Sequence, residues 1–230
     1  MAHEEPLTGT RLRTPRAAAV AGILFSALLG LALILILISA PSNPATAGAW
    51  LSDPARRATL AFALNLVPFA GIAFLWFIGV VRDRIGQLED RFFASVFLGS
   101  GLLFVAMLFV GAAFSGGLLA EMTAGSASTP SPDVLALGRQ ITSLLLHVYA
   151  MRMAAVFTLS TATITLRTRV VPRWIGLLGV AVAVILLVSV GLTLWVELLF
   201  PAWILLLSVD ILRTGWRRSA GAAMVATDTA

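Results

Sequence analysis

Six polar side chains fall inside stretches otherwise too apolar to face water: Asn65, His147, Tyr149, Arg152, Glu197 and Asp210. Arg152 carries the most information. Counted from Gln140, it lies roughly 18 Å below the outer boundary of its apolar stretch, near the middle of a bilayer. A guanidinium there costs on the order of 3 kcal/mol by insertion scales. It therefore marks an ion or substrate path, a structural ion pair, or a side chain that snorkels to the interface. By the same count Asp210 lies roughly 24 Å down, within reach of Arg152, whereas Glu197 lies only about 5 Å down. Two pairings of Asp210 compete: with Arg152 across helices, or with Arg213 one turn along its own helix.

His147 and Asn65 fall roughly 10–12 Å below the outer boundary, with Glu197 slightly higher. They can form a small outer cluster that binds a ligand or relays protons, since imidazoles as a class titrate near neutral pH. Alternatively each makes one interhelical hydrogen bond worth about 1 kcal/mol. Tyr149, Arg152, Ser160 and Thr163 share one side of the fourth helix at 100° per residue, and Ser143, His147, Thr158, Thr161 and Thr165 share nearly the opposite side. Neither side suits lipid, so this helix belongs in the centre of the bundle. Back-bonding to the i−4 carbonyl accounts for the Ser and Thr residues but not for Arg152.

Other chemistries have no carrier. The chain has no cysteine and only two histidines, His3 and His147, which excludes disulfides and thiolate sites and leaves no basis for a histidine metal site. It contains no GxSxG, no HExxH and no glycine-rich phosphate loop. We therefore read it as not an enzyme, with no cofactor.

The elements that hold these side chains are lipid-spanning helices. Of 230 residues, 59% are hydrophobic and 12% charged, too little charge to cover a water-soluble domain. The mean hydropathy is +0.97. The expected fold is an all-α polytopic transmembrane bundle of about six spans, near 17–40, 57–81, 92–114, 140–166, 173–192 and 194–214. Residues 1–13 and 217–230 read as disordered cytoplasmic tails. The first run is too long for the apolar core of a signal peptide and reads as an uncleaved helix. Thr14-Pro15 and Asp53-Pro54 are cap-plus-proline starts. Pro68 leaves the Leu64 carbonyl without its helical donor. The third helix is expected to end near Gly116-Gly117. The longest loop, 124–133, is followed by a fourth helix starting near Asp133. The stretch 174–213 divides into two spans at Gly191–Thr193, which places Pro201 inside the sixth.

All 16 basic residues are arginine. Arg11, Arg13, Arg16, Arg82, Arg84, Arg91, Arg167, Arg169, Arg173, Arg213, Arg217 and Arg218 fall on one side, against Arg56, Arg57 and Arg139 on the other. This bias puts both termini in the cytoplasm and explains the net charge of +5 without nucleic acid. Trp76, Trp174 and Trp216 then lie toward the inner interface, and Trp50 and Trp195 toward the outer one. Gly22, Ser26 and Gly30 on helix one, and Gly176, Gly179 and Ala183 on helix five, form small-residue faces for close packing. Helix one, otherwise without polarity, is expected at the periphery.

The stretch RTRVVPRWIGLLGVAVAVILL (167–187), following helix four, resembles a class of bacterial six-helix membrane proteins of unknown function, whose corresponding inner loop carries a similar Arg…Pro-Arg-x-x-Gly run. The resemblance covers about the second half of the chain. It implies six helices and brings no activity with it; the expected location is a bacterial cytoplasmic membrane.

The expected partners are thus the lipid bilayer, a small-molecule or ion ligand, and either another membrane protein or a second copy. The leading functional expectation is a small transporter or ligand-binding membrane protein using the polar residues of helices four and six. The alternative is a non-catalytic structural or accessory subunit.

Overall fold

Every described segment is dominated by helix, because a chain in lipid must satisfy its backbone hydrogen bonds internally. The computed structural model describes residues 14–39, 53–85, 91–123, 132–168, 171–189 and 194–228. The N-terminal tail, most of the two loops 41–52 and 124–133, the 86–90 segment and the division at 191–193 lie outside the described residues. Six helices follow in order: α1 (Thr14–Ser39), α2 (Pro54–Ile85), α3 (Arg91–Thr123), α4, α5 (Arg173–Val188) and α6. Helix α4 runs without interruption through an α segment (Pro132–Ser143), a π segment (Leu144–Ala150) and a second α segment (Met151–Thr168). Helix α6 opens as a 3-10 turn (Leu194–Leu198) and continues as α-helix over Leu199–Asp228.

Five of the six are long and apolar enough to cross a membrane; α5 is apolar but shorter. The outward faces match. Phe62, Phe69, Ile72 and Trp76 on α2, and Leu177, Val184 and Val188 on α5, are exposed. Water-soluble monomers rarely show such continuous apolar surface. This is the architecture of a multi-pass membrane protein.

Two boundaries differ from the sequence reading. Helix α3 passes through Gly116 and Gly117 to Thr123; glycine lowers helix propensity by about 1 kcal/mol but does not stop a helix that lipid and neighbours support. Helix α6 continues to Asp228, through residues 217–228 that were expected to be irregular. Pro201 lies inside α6 as expected, about two turns on from Leu194, the first of those turns being wound as 3-10. At the start of α2 the expected cap is present: the Ala55 amide donates to Asp53 Oδ1 at 2.9 Å.

The helices close into a ring, α1 against α2 and α6, α2 against α3, α3 against α4, α4 against α5. Helix α1 is therefore not peripheral. Its small face is the reason: at Gly22 an added Cβ would meet Ser208 Oγ of α6 at 2.0 Å and Phe77 of α2 at 2.9 Å. Ser26, one turn on, is buried and donates back to the Gly22 carbonyl at 2.8 Å. Gly179 of α5 plays the same part, with Trp203 and Ala162 within 3 Å of its missing Cβ. Trp203 is buried and donates from Nε1 to the Ile175 carbonyl at 3.0 Å.

Inside the ring sits a cluster of phenylalanines that periodicity did not single out. Phe74 of α2 lies 4.4 Å from Phe25, 4.9 Å from Phe157, 5.3 Å from Phe104 and 5.8 Å from Phe200, centroid to centroid, three of the four edge-on. Tilted and edge-to-face rings of this kind interlock five helices without any polar group.

Candidate functional site

A cross-helix polar contact between side chains is made where two helices leave α geometry together. His147 sits in the π segment of α4 and Glu197 in the 3-10 turn of α6. His147 Nδ1 and Glu197 Oε1 are joined by a short hydrogen bond. Either the ring donates to the carboxylate or a protonated carboxyl donates to the ring. Glu197 is the more enclosed partner, with a side chain 9% exposed against 28% for His147.

Both irregularities have local consequences. Pro201 has no N–H to give the Glu197 carbonyl, which removes one α-type hydrogen bond at the turn where α6 winds as 3-10. The 3-10 turn holds Glu197 buried, beside Phe200 at the edge of the aromatic core. The π segment adds a residue to one turn of α4 and so rotates everything beyond it. Thr158 and Thr161 are completely or almost completely buried, whereas Ser143 is exposed. The single polar face drawn through Ser143, His147, Thr158, Thr161 and Thr165 is thus broken at the π turn. On the packed side, Leu146 of the π segment fills the space over Gly111 of α3, where a Cβ would meet it at 2.5 Å. Nearby, Thr142 Oγ1 is shielded from solvent and has no hydrogen-bond partner among the described residues.

The His147–Glu197 contact also sets the register between α4 and α6, which run in the same direction away from it. Arg152 is then about 7 Å along the axis from the contact, while Asp210 is about 20 Å along it. Among the described residues no ion pair joins them. Depth counted from Gln140 puts the two within reach; the register between α4 and α6 separates them. Asp210 instead feels the charge of Arg213 on its own helix. Arg152 and Tyr149, one turn apart, are both exposed on the outward surface of α4, in the half of the span nearer Trp195. That position lets the guanidinium snorkel toward the headgroups.

Asn65 does not join His147 and Glu197. It is exposed on α2 and donates from Nδ2 to the Ala61 carbonyl at 2.8 Å. It lines a different feature: an open groove of about 540 Å³ between the start of α2 and the end of α3, with Arg57, Ala61, Leu64 and Gly116. Arg57, Ala61, Leu64 and Asn65 recur at helical spacing along one stripe of α2, a signal legible in the sequence, where Arg57 was read only for topology and Asn65 for the outer cluster.

The remaining polarity of α4 is local. Thr158, Ser160, Thr161 and Thr163 donate to the carbonyls of Ala154, Val156, Phe157 and Leu159 at 2.7–2.9 Å. No group of three or more metal-ligating side chains occurs among the described residues. No protein-family model, curated protein or solved structure matches the chain. The two groups of the site can transfer a proton across the hydrogen bond, or release the Glu197 carboxylate to a cationic ligand.

Proposed function

We propose that this chain is a small transporter or ligand-binding protein of a bacterial cytoplasmic membrane, with both termini inside, and that His147 and Glu197 form its working element. One observation carries the reading: a nearly buried carboxylate and an imidazole meet on a π turn and a 3-10 turn. Ionisable groups inside a membrane bundle are costly and mark ion, proton or ligand sites far more often than surface groups do. Departures from α geometry favour hinges and functional positions. A cation or protonated ligand that competes for Glu197 opens the contact, and the two irregular turns supply the slack for α4 and α6 to separate.

The pair can be followed directly, since His3 is the other histidine in the chain. In a His3→Gln background, ring-nitrogen signals of His147 recorded against pH are expected to change when Glu197 becomes Gln. Binding or uptake of at least one cationic solute by proteoliposomes is expected to weaken in the same variant. Ring signals indifferent to Glu197, with no solute response from a broad panel, would remove the basis of this reading. Orientation is tested separately by Ala47→Cys and Leu88→Cys in this cysteine-free chain. Labelling of the two from opposite sides is expected.

A second reading, an accessory subunit packed against another membrane protein, is favoured by the outward-facing Tyr149 and Arg152. In that case Arg152→Leu leaves the isolated chain intact but loses the partner on purification.

A further inference from the structure

We propose that the groove between the Pro54 end of α2 and the Thr123 end of α3 binds an anionic phospholipid, with the phosphate at Arg57 and an acyl chain along the alanine-lined wall. The groove is about 540 Å³, within the size range of small-ligand sites. Its lining is graded. Pro54 and Arg57 lie at the helix end, Ala58, Ala61, Leu119 and Ala120 along the walls, and Leu64 and Asn65 deepest along α2. From Arg57 to Asn65 is about 12 Å at helical rise. The cationic end of the groove is therefore at the end of the span, and its alanine- and leucine-lined length runs into the bilayer as far as the Asn65 amide, the layout of a phospholipid head and upper chain.

Charge complementarity supports an anion at the mouth. Arg57 is partly buried and, among the described residues, makes no ion pair. The carboxylate nearest in sequence, Asp53, is already engaged: one oxygen caps the Ala55 amide and the other lies 3.3 Å from Arg56 Nε. Glu121, next to the lining residue Ala120, is exposed and is not paired with Arg57. An arginine so placed gives a phosphate two parallel hydrogen bonds. Gly116 keeps the wall open: a Cβ added there meets nothing within 4 Å. A side chain at this position therefore has room at its Cβ and takes up space on the wall of the groove.

The test is lipid retention by the full chain in a maltoside detergent, read by native mass spectrometry. Dioleoyl phosphatidylglycerol, dioleoyl phosphatidylcholine and inorganic phosphate are the three probes. One phosphatidylglycerol is expected to be retained, about tenfold more tightly than phosphatidylcholine. Arg57→Gln and Gly116→Leu are each expected to lower that retention by about tenfold. Arg139→Gln, which removes an equal charge from an exposed site outside the lining, is expected to leave it unchanged. Equal retention of the two lipids overturns the proposal. So does a loss in Arg139→Gln equal to that in Arg57→Gln, full retention by Gly116→Leu, or displacement of phosphatidylglycerol by inorganic phosphate alone.

Discussion

The middle of the bundle and its Trp195 end are built on opposite principles. In the middle, Phe25, Phe74, Phe104, Phe157 and Phe200 meet from five helices, all fully buried, and the hydroxyls of Thr158 and Thr161 are returned to their own backbone. At the Trp195 end, α4 relaxes into a π turn, α6 tightens into a 3-10 turn, a histidine and a glutamate share a hydrogen bond, and a groove opens between α2 and α3. Lipid tails offer the helices no hydrophobic drive toward one another, so the middle holds by close contact of rings and small residues. The other end gives up regular geometry and gains side chains that can exchange protons or ligands. Stability belongs to the first region and function, on our reading, to the second.

The sharpest way to break this contrast is at Phe74. Phe74→Ala removes the ring at the centre of the cluster and is expected to cost about 3 kcal/mol in reversible unfolding from mixed micelles. A loss no larger than that of a pair variant would deny the middle its role as anchor. Next comes Gly22→Val, where the new side chain must displace Ser208 and Phe77. An expected loss of about 2 kcal/mol contrasts with Gly30→Val, where an added Cβ meets nothing within 4 Å and the change should stay within about 0.5 kcal/mol. Equal effects at the two glycines would mean that α1 is not held by its small face.

At the polar end the effects are smaller and coupled. His147→Ala and Glu197→Gln are each expected to cost about 1–2 kcal/mol, the partial exposure of His147 keeping them below a fully buried pair. The double variant should cost less than the sum, with about 1 kcal/mol of coupling. Strict additivity would show that the two side chains act independently. The smallest effect is expected at Arg152. Arg152→Leu in bilayers should leave stability within about 0.5 kcal/mol or raise it, because the guanidinium is exposed and makes no ion pair among the described residues. A mid-membrane pair with Asp210 would have given a loss instead.

Much of the architecture was legible because lipid imposes its requirement on each segment separately. Runs of apolar residues, the Asp53-Pro54 start and the glycines at 22 and 179 are local signals, and each has its expected counterpart in the helices. The proposed outer cluster was half legible: depth placed His147 near Glu197, and they do meet, but the same depth placed Asn65 there, and it faces elsewhere. Depth along an axis says nothing about the direction a side chain points. The π turn added a second obstacle. No proline or glycine marks Leu144–Ala150, so a constant 100° per residue carried the polar face of α4 past the point where it rotates.

The sequence by itself determined that this is a chain of lipid-length helices with a few ionisable groups inside them, because hydropathy and chain length are properties of each segment alone. Only the tertiary structure decided which of those groups face one another. Helix register and rotation are set by ring stacking, by the close approach at Gly22 and Gly179, and by one π turn, all of which depend on neighbours far away in the chain.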